Sequence, residues 1–200
     1  MRLHNNLQSG NSYKVRLLLR QLGRPYDNIP VDIFKGESRT PSFVKLNPAG
    51  QTPVLELDDG TMLPESNAIL CYLAEGTDLY PLSPVERAHV LRWMFFEQNN
   101  VMPNIGWARF IKRWIPADSP MWQRLPWLQE NGASALAVME SFLNGRQFFV
   151  GNRYTIADIA LYGYSHTAPE GGLELERYPA VAAWMNRIRS QPNYIPLEHG

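Results

Sequence analysis

Residues 47–75, NPAGQTPVLELDDGTMLPESNAILCYLAE, hold in one stretch the turns, strands and helix start that decide the fold. Asn47-Pro48 opens a turn. The runs TPVLEL and TML flank Asp58-Asp59-Gly60, a pairing of short β-prone segments around a glycine turn that predicts a hairpin. Glu65-Ser66 then precedes Ala68, Ile69, Tyr72 and Leu73, which recur at helical spacing up to Gly76, a residue suited to ending a helix.

Working outward, MRLH and IPVDI read as two further strands, with a helix from about Ser12 to Leu22 between them and a short helical turn in TPSFVKLN. A βαβ unit followed by ββα describes a small α/β sheet domain. After TDLYPLSP the pattern turns wholly helical. VERAHVLRWMFFEQNNVMPNIGWARFIKRW predicts one long helix bent near Pro103, because a proline removes a backbone donor and crowds the turn before it. LPWLQENGASALAVMESFLNG predicts a second helix closed by Asn144-Gly145, and YPAVAAWMNRIRSQP another with Pro179 in its first turn. Between them, Thr155 and Asp158 are spaced as a capping box, with Tyr154 and Ile159 placed as a hydrophobic staple. The expected organisation is a domain over residues 1–76, a linker over 77–84 and an all-helical domain over 85–200.

The 200 residues carry 19 basic and 19 acidic side chains in scattered positions, so no basic run marks a nucleic-acid or membrane surface. A single cysteine, Cys71, allows neither an internal disulfide nor a CxxC redox pair, and it reads as a buried small hydrophobe within a helix. His4, His89, His166 and His199 lie far apart without metal-ligand spacing, so no metal site is expected. No window is long and apolar enough for a membrane span or a leader segment, and the expected location is cytoplasmic.

The chain resembles the cytosolic glutathione S-transferases over essentially its whole length. Residues 47–75 are similar to that family's glutathione-binding segment, GNRYTIADIALYG to its helical-domain capping motif, and SGNSYKVRLLL to the first active-site loop of its serine-type classes. The resemblance implies an α/β thioredoxin-like N-terminal domain, an all-α C-terminal domain, a bacterial detoxifying transferase and usually a homodimer. It implies glutathione as co-substrate, bound through Ser9, Arg39, Gln51, Thr52, Pro53, Glu65 and Ser66. Pro53 would be cis, turning the Thr52 backbone toward an extended peptide. Ser66 at a helix start suits a carboxylate and Glu65 an ammonium, together matching the γ-glutamyl head group. Read without the family, the same pair is only an N-cap and a first-turn acid. Arg39, ahead of Lys35, is the candidate for the glycine carboxylate. If the long helix packs as in the family, Met102, Gly106, Arg109 and Phe110 line the pocket for a hydrophobic electrophile.

QSGNSYKV, residues 8–15, sets three short polar side chains at a helix entrance. The nucleophile of a conjugation is glutathione's own thiolate, so the protein has only to lower a thiol pKa from about 8.5 by roughly two units, or about 2.7 kcal/mol. One charge-assisted hydrogen bond contributes about 1.5 to 3 kcal/mol, and a helix N-terminus adds up to about 2. No base accompanies Ser9, which argues against a serine hydrolase. Ser9 is the principal donor by its place in the serine-type loop. Asn11 is the alternative by likeness to a Thr-Pro-Asn loop, and Ser12 reads as the helix cap. Two further readings stay open: glutathione-dependent disulfide or peroxide reduction, and a non-catalytic interaction module of the same fold.

Overall fold

The structure, a computed structural model, describes residues 1–199 and divides into two units. One comprises Met1–Thr77 together with residues 192–199, and the other is Asp78–Gln191.

The first unit is a four-stranded mixed sheet in the order β2-β1-β3-β4. β1 (Arg2–Asn5) runs parallel to β2 (Asp27–Pro30) and antiparallel to β3 (Val54–Glu56), which pairs antiparallel with β4 (Met62–Pro64). Alternation along β1 splits the two faces. Leu3 is fully buried on one, while His4 lies on the other against Phe43 and donates Nε2–H to the Glu56 carboxylate at 2.8 Å. The DDG hairpin forms as expected, closed by Leu57 N–H to Thr61 O at 2.9 Å with Gly60 at φ 85°. β2 begins two residues earlier than IPVDI suggested. Asp32 leaves the strand because its carboxylate accepts from the Phe34 and Lys35 amides and caps a short turn instead.

Helix α1 (Gly10–Gln21) packs with α3 (Ser66–Ala74), while α2 (Pro41–Leu46) is capped by Thr40 Oγ1 accepting from Phe43 N–H. Residues 192–199, which the sequence reading placed with the helical domain, dock within this unit: Tyr13 Oη donates to Ile195 O at 2.8 Å, and Arg16 Nη2 to Leu197 O at 2.6 Å.

The second unit contains α4 (Pro84–Phe96), α5 (Trp107–Trp114), α6 (Leu125–Leu143), α7 (Ile156–Ser165) and α8 (Pro179–Arg189). The long helix expected over residues 85–114 does not bend as a kinked α-helix. Between α4 and α5 it winds as π-helix from Glu97 to Gly106, with Pro103 inside. Wider winding redistributes the carbonyls around a residue that has no N–H to give. Two asparagine side chains donate to backbone carbonyls there, Asn104 Nδ2 to Asn100 O at 2.7 Å and Asn100 Nδ2 to Phe96 O at 3.2 Å.

The Thr155–Asp158 capping box is present at the start of α7. Asp158 is wholly buried, and besides the Thr155 N–H and hydroxyl it accepts from Phe149 N–H and Trp184 Nε1, at 2.9 to 3.2 Å. Burial raises its pKa to about 6 even against these donors. Tyr154 packs on Phe148. No helix among the described residues is long and apolar enough to cross a membrane.

Candidate functional site

Three segments meet at one end of the sheet in the first unit. His4 pairs with Val54 and Val54 with Pro64, so the next residues in each register, Asn5, Pro53 and Glu65, lie side by side where the strands end. From there the loop to α1 departs, the Thr52–Pro53 peptide sits, and α3 begins. The Thr52–Pro53 bond is cis, as the resemblance implied.

The first loop is tied down by asparagines. Asn6 Nδ2 donates to Val31 O at 3.2 Å, and its Oδ1 accepts from Gln8 N–H at 3.0 Å. The helix starts at Gly10, two residues before Ser12, so Ser9 is the N-cap and Ser12 is not. Ser9 Oγ accepts from Ser12 N–H at 3.4 Å, while Ser12 is fully buried with its hydroxyl accepting from Asn6 N–H at 3.3 Å. Capping uses a lone pair of Ser9 and leaves its proton to donate. Asn11 is held through its oxygen: Oδ1 accepts from Lys14 Nζ at 2.9 Å and from Ser66 Oγ at 3.3 Å. That second bond joins the first loop to the start of α3.

The NPAGQ turn is built on Asn47, whose Oδ1 accepts from Ala49 N–H at 3.1 Å and whose Nδ2 donates to Gln51 O at 2.8 Å. Arg39 lies over it, Nη1 of its exposed side chain donating to Ala49 O at 2.9 Å. Lys35 instead pairs with Asp32 at 3.3 Å. Gly50 is required by the approach: at φ 61°, a Cβ there would stand 2.8 Å from Arg39 Nη1 and 2.9 Å from Ser38 O. Gly50→Ala is expected to cost about 2 kcal/mol in urea unfolding, because left-handed backbone and overlap with a carbonyl both oppose it.

Glu65 precedes α3 at φ 71° and ψ 106°, a left-handed conformation that a non-glycine residue adopts only under constraint from its surroundings. Its carboxylate is exposed, while Ser66 is buried at the helix start. Strain at this point presents an acid and a helix N-terminus together.

In the second unit, Met102 and Gly106 lie on the π-helix and Arg109 and Phe110 on α5. Met102 and Phe110 are half-buried, Phe110 packing edge-on with Trp107 at 5.3 Å and tilted against Trp114 at 5.8 Å. Gly106 admits the Tyr164 ring, which a Cβ would meet at 2.9 Å. Arg109 is buried and donates Nε to Glu170 at 2.9 Å. Cys71 is half-buried rather than fully enclosed. Among the described residues no His, Cys, Asp and Glu side chains gather into a metal-binding group.

Sequence reasoning missed Lys14 and Arg16, both fully buried on α1. Arg16 donates to Asn5 Oδ1 at 2.8 Å and to Leu7 O at 3.1 Å as well as to the tail, and burial lowers its pKa. The signal was present in KVRLLL, where two cations interrupt an otherwise apolar helix.

A thioredoxin-like sheet whose strand ends gather a cis-proline, a helix-capping serine and a strained acid before a second helix belongs to a recognisable class. Residues 8–75 match the family of the glutathione S-transferase N-terminal domain, and residues 128–192 that of the glutathione S-transferase C-terminal domain. The chain belongs to the glutathione S-transferase family. It is 31% identical to the disulfide-bond oxidoreductase YfcG of Escherichia coli, over 91% of this chain and 87% of that one. It is 30% identical to a zeta-class glutathione S-transferase of Euphorbia esula, over 84% and 76%. The crystal structure of a glutathione S-transferase from Pseudomonas fluorescens superposes with a TM-score of 0.96 at 45% identity, covering 99% of this chain and 98% of that one.

Proposed function

We propose that the protein is a cytoplasmic glutathione transferase that binds reduced glutathione in the first unit, stabilises its thiolate and directs it at a hydrophobic electrophile. The observation that carries the reading is the meeting of Ser9–Asn11, Thr52–Pro53 and Glu65–Ser66 at one end of the sheet, with Asn11 hydrogen-bonded to Ser66. Glutathione is a peptide with a charged amino-acid head at one end and a carboxylate at the other. Glu65 and the α3 N-terminus with Ser66 take the head group, Thr52 and Gln51 the peptide, and Arg39 the glycine carboxylate. The sulfur then lies at the α1 N-terminus, where the Ser9 hydroxyl proton and the Asn11 amide stabilise negative charge. Its proton passes to solvent, the thiolate forms a bond to the electrophilic carbon, and the leaving group departs with its electron pair. Met102, Gly106, Arg109 and Phe110 are the proposed contacts of that electrophile, and the working form is a homodimer.

A second reading is supported by Asn11 and by the likeness to a disulfide-bond oxidoreductase. In it the thiolate attacks a disulfide sulfur, forms a mixed disulfide and expels a thiolate, with a second glutathione completing the reduction; no cysteine of the protein is needed. Titration calorimetry with reduced glutathione, followed by turnover of an aryl halide and of a glutathione mixed disulfide, tests both. We expect saturable binding that weakens about tenfold in Ser66→Ala. Absence of binding to the wild type would instead favour the non-catalytic module.

A further inference from the structure

Asn11 is held by a residue that neither the loop motif nor the head-group site includes. Lys14, one helical turn on, is fully buried, and its ammonium donates to Asn11 Oδ1 at 2.9 Å. An ammonium has three donors and no acceptor, so the amide end facing it has to be the oxygen. Ser66 Oγ meets the same oxygen at 3.3 Å. The Lys14 bond fixes one flip of the Asn11 amide, to which Ser66 then donates, and its NH₂ is the end left for another acceptor.

The Ser66 contact is the one that binding disturbs. Ser66 has a single hydroxyl proton, and once a head-group carboxylate occupies the start of α3 that proton turns to the stronger, charged acceptor. Lys14 is then the donor that keeps Asn11 Oδ1 turned inward. Resting on the proposal that glutathione sulfur docks at this loop, we infer that Lys14 is a positioning residue: it locks the Asn11 amide with its NH₂ toward the sulfur, so that Asn11 donates to the thiolate in the liganded enzyme. The other charged groups on the same elements are Arg16 on α1, engaged by Asn5, Leu7 and Leu197, Arg20 in its last turn, and Glu65 and Glu75 at the two ends of α3.

The test is a double-mutant cycle on Lys14→Met and Asn11→Ala, with kcat and KM for glutathione against pH and the bound thiolate titrated by its ultraviolet absorbance. Lys14→Met is expected to lower kcat about threefold at pH 6 with KM within about twofold and to move the bound-thiol titration to higher pH; in the Asn11→Ala background it should change neither. Lys14→Arg, which still donates, should restore most of kcat. Asn11→Asp keeps a partner for Lys14 but has no NH₂, and it is expected to lose kcat at least as far as Asn11→Ala, a result independent of whether Lys14→Met folds. Additive effects of Lys14→Met and Asn11→Ala, or wild-type kcat in Asn11→Asp, would overturn the inference while glutathione binding by the wild type leaves the parent proposal standing. A wild type that binds no glutathione removes both.

Discussion

Alanine at both Ser9 and Asn11 is expected to lower kcat/KM for glutathione attack about tenfold at pH 6, and the deficit should close near about pH 7.5 and reverse above about 8.5. The size follows from two opposing effects. Losing both donors returns the bound thiol toward about 8.5, two units up, which cuts the thiolate fraction near pH 6 by about 10². A more basic thiolate is a better nucleophile, and at a Brønsted slope of about 0.4–0.5 the same two units give back about tenfold. The pH dependence separates this role from a structural one. Ser9 also caps α1 and Asn11 also bridges to Ser66, so a loop that merely loosened would lose activity equally at every pH. Single variants apportion the effect. If Ser9→Ala alone leaves the profile unmoved, Asn11 carries the sulfur.

Replacing Asp158 with alanine is expected to lower Tm by about 8–16 °C by scanning calorimetry. The carboxylate answers two backbone amides, a hydroxyl and the Trp184 indole inside the second unit. Its removal leaves those donors buried with no acceptor, a loss of about 4 kcal/mol, and each kcal/mol moves Tm by about 2–4 °C in a chain of this size. The effect has a pH signature. Because the native carboxyl titrates at about 6, above its ordinary 3.8, the folded state keeps a proton between pH 4 and 6 that the unfolded chain has lost. The stability Asp158 contributes therefore falls as pH rises through that window, and the gap between wild type and Asp158→Ala should narrow from pH 4 to 6 and then level off. A gap that widens over that range would show the carboxylate to be ionised throughout.

Local chemistry was the legible part of the fold. The DDG hairpin, the Thr155–Asp158 box, the Gly76 and Gly145 stops and the NPAGQ turn are each decided by residues within a few positions of one another, so their patterns survive in a linear reading. What escaped depends on competition with distant partners. Ser9 and Ser12 are both good caps. Ser9 wins because Ser12 Oγ is drawn inward by the Asn6 amide, a contact no spacing rule contains. The same holds for β2, which Asp32 ends by capping a turn, and for the π-wound stretch around Pro103, where asparagine side chains add bonds to backbone carbonyls along the helix. Within the candidate site, Asn11 and Ser66 were each identifiable, but their bond, and Lys14 behind it, required the packing of α1 on α3.

The docking of residues 192–199 on α1 gives the first unit an unusual relation to its own synthesis. Tyr13 and Arg16 emerge from the ribosome early, yet their acceptors Ile195 and Leu197 lie 182 and 181 residues further along the chain. At a translation rate of about 5–20 residues per second, these donors are made roughly 10 to 40 seconds before those two carbonyls. The helical unit, continuous from Asp78 to Gln191, is wholly translated before that. The order in which the two units finish is thus the reverse of the order in which they begin, and the unit proposed to bind glutathione is the last to be complete.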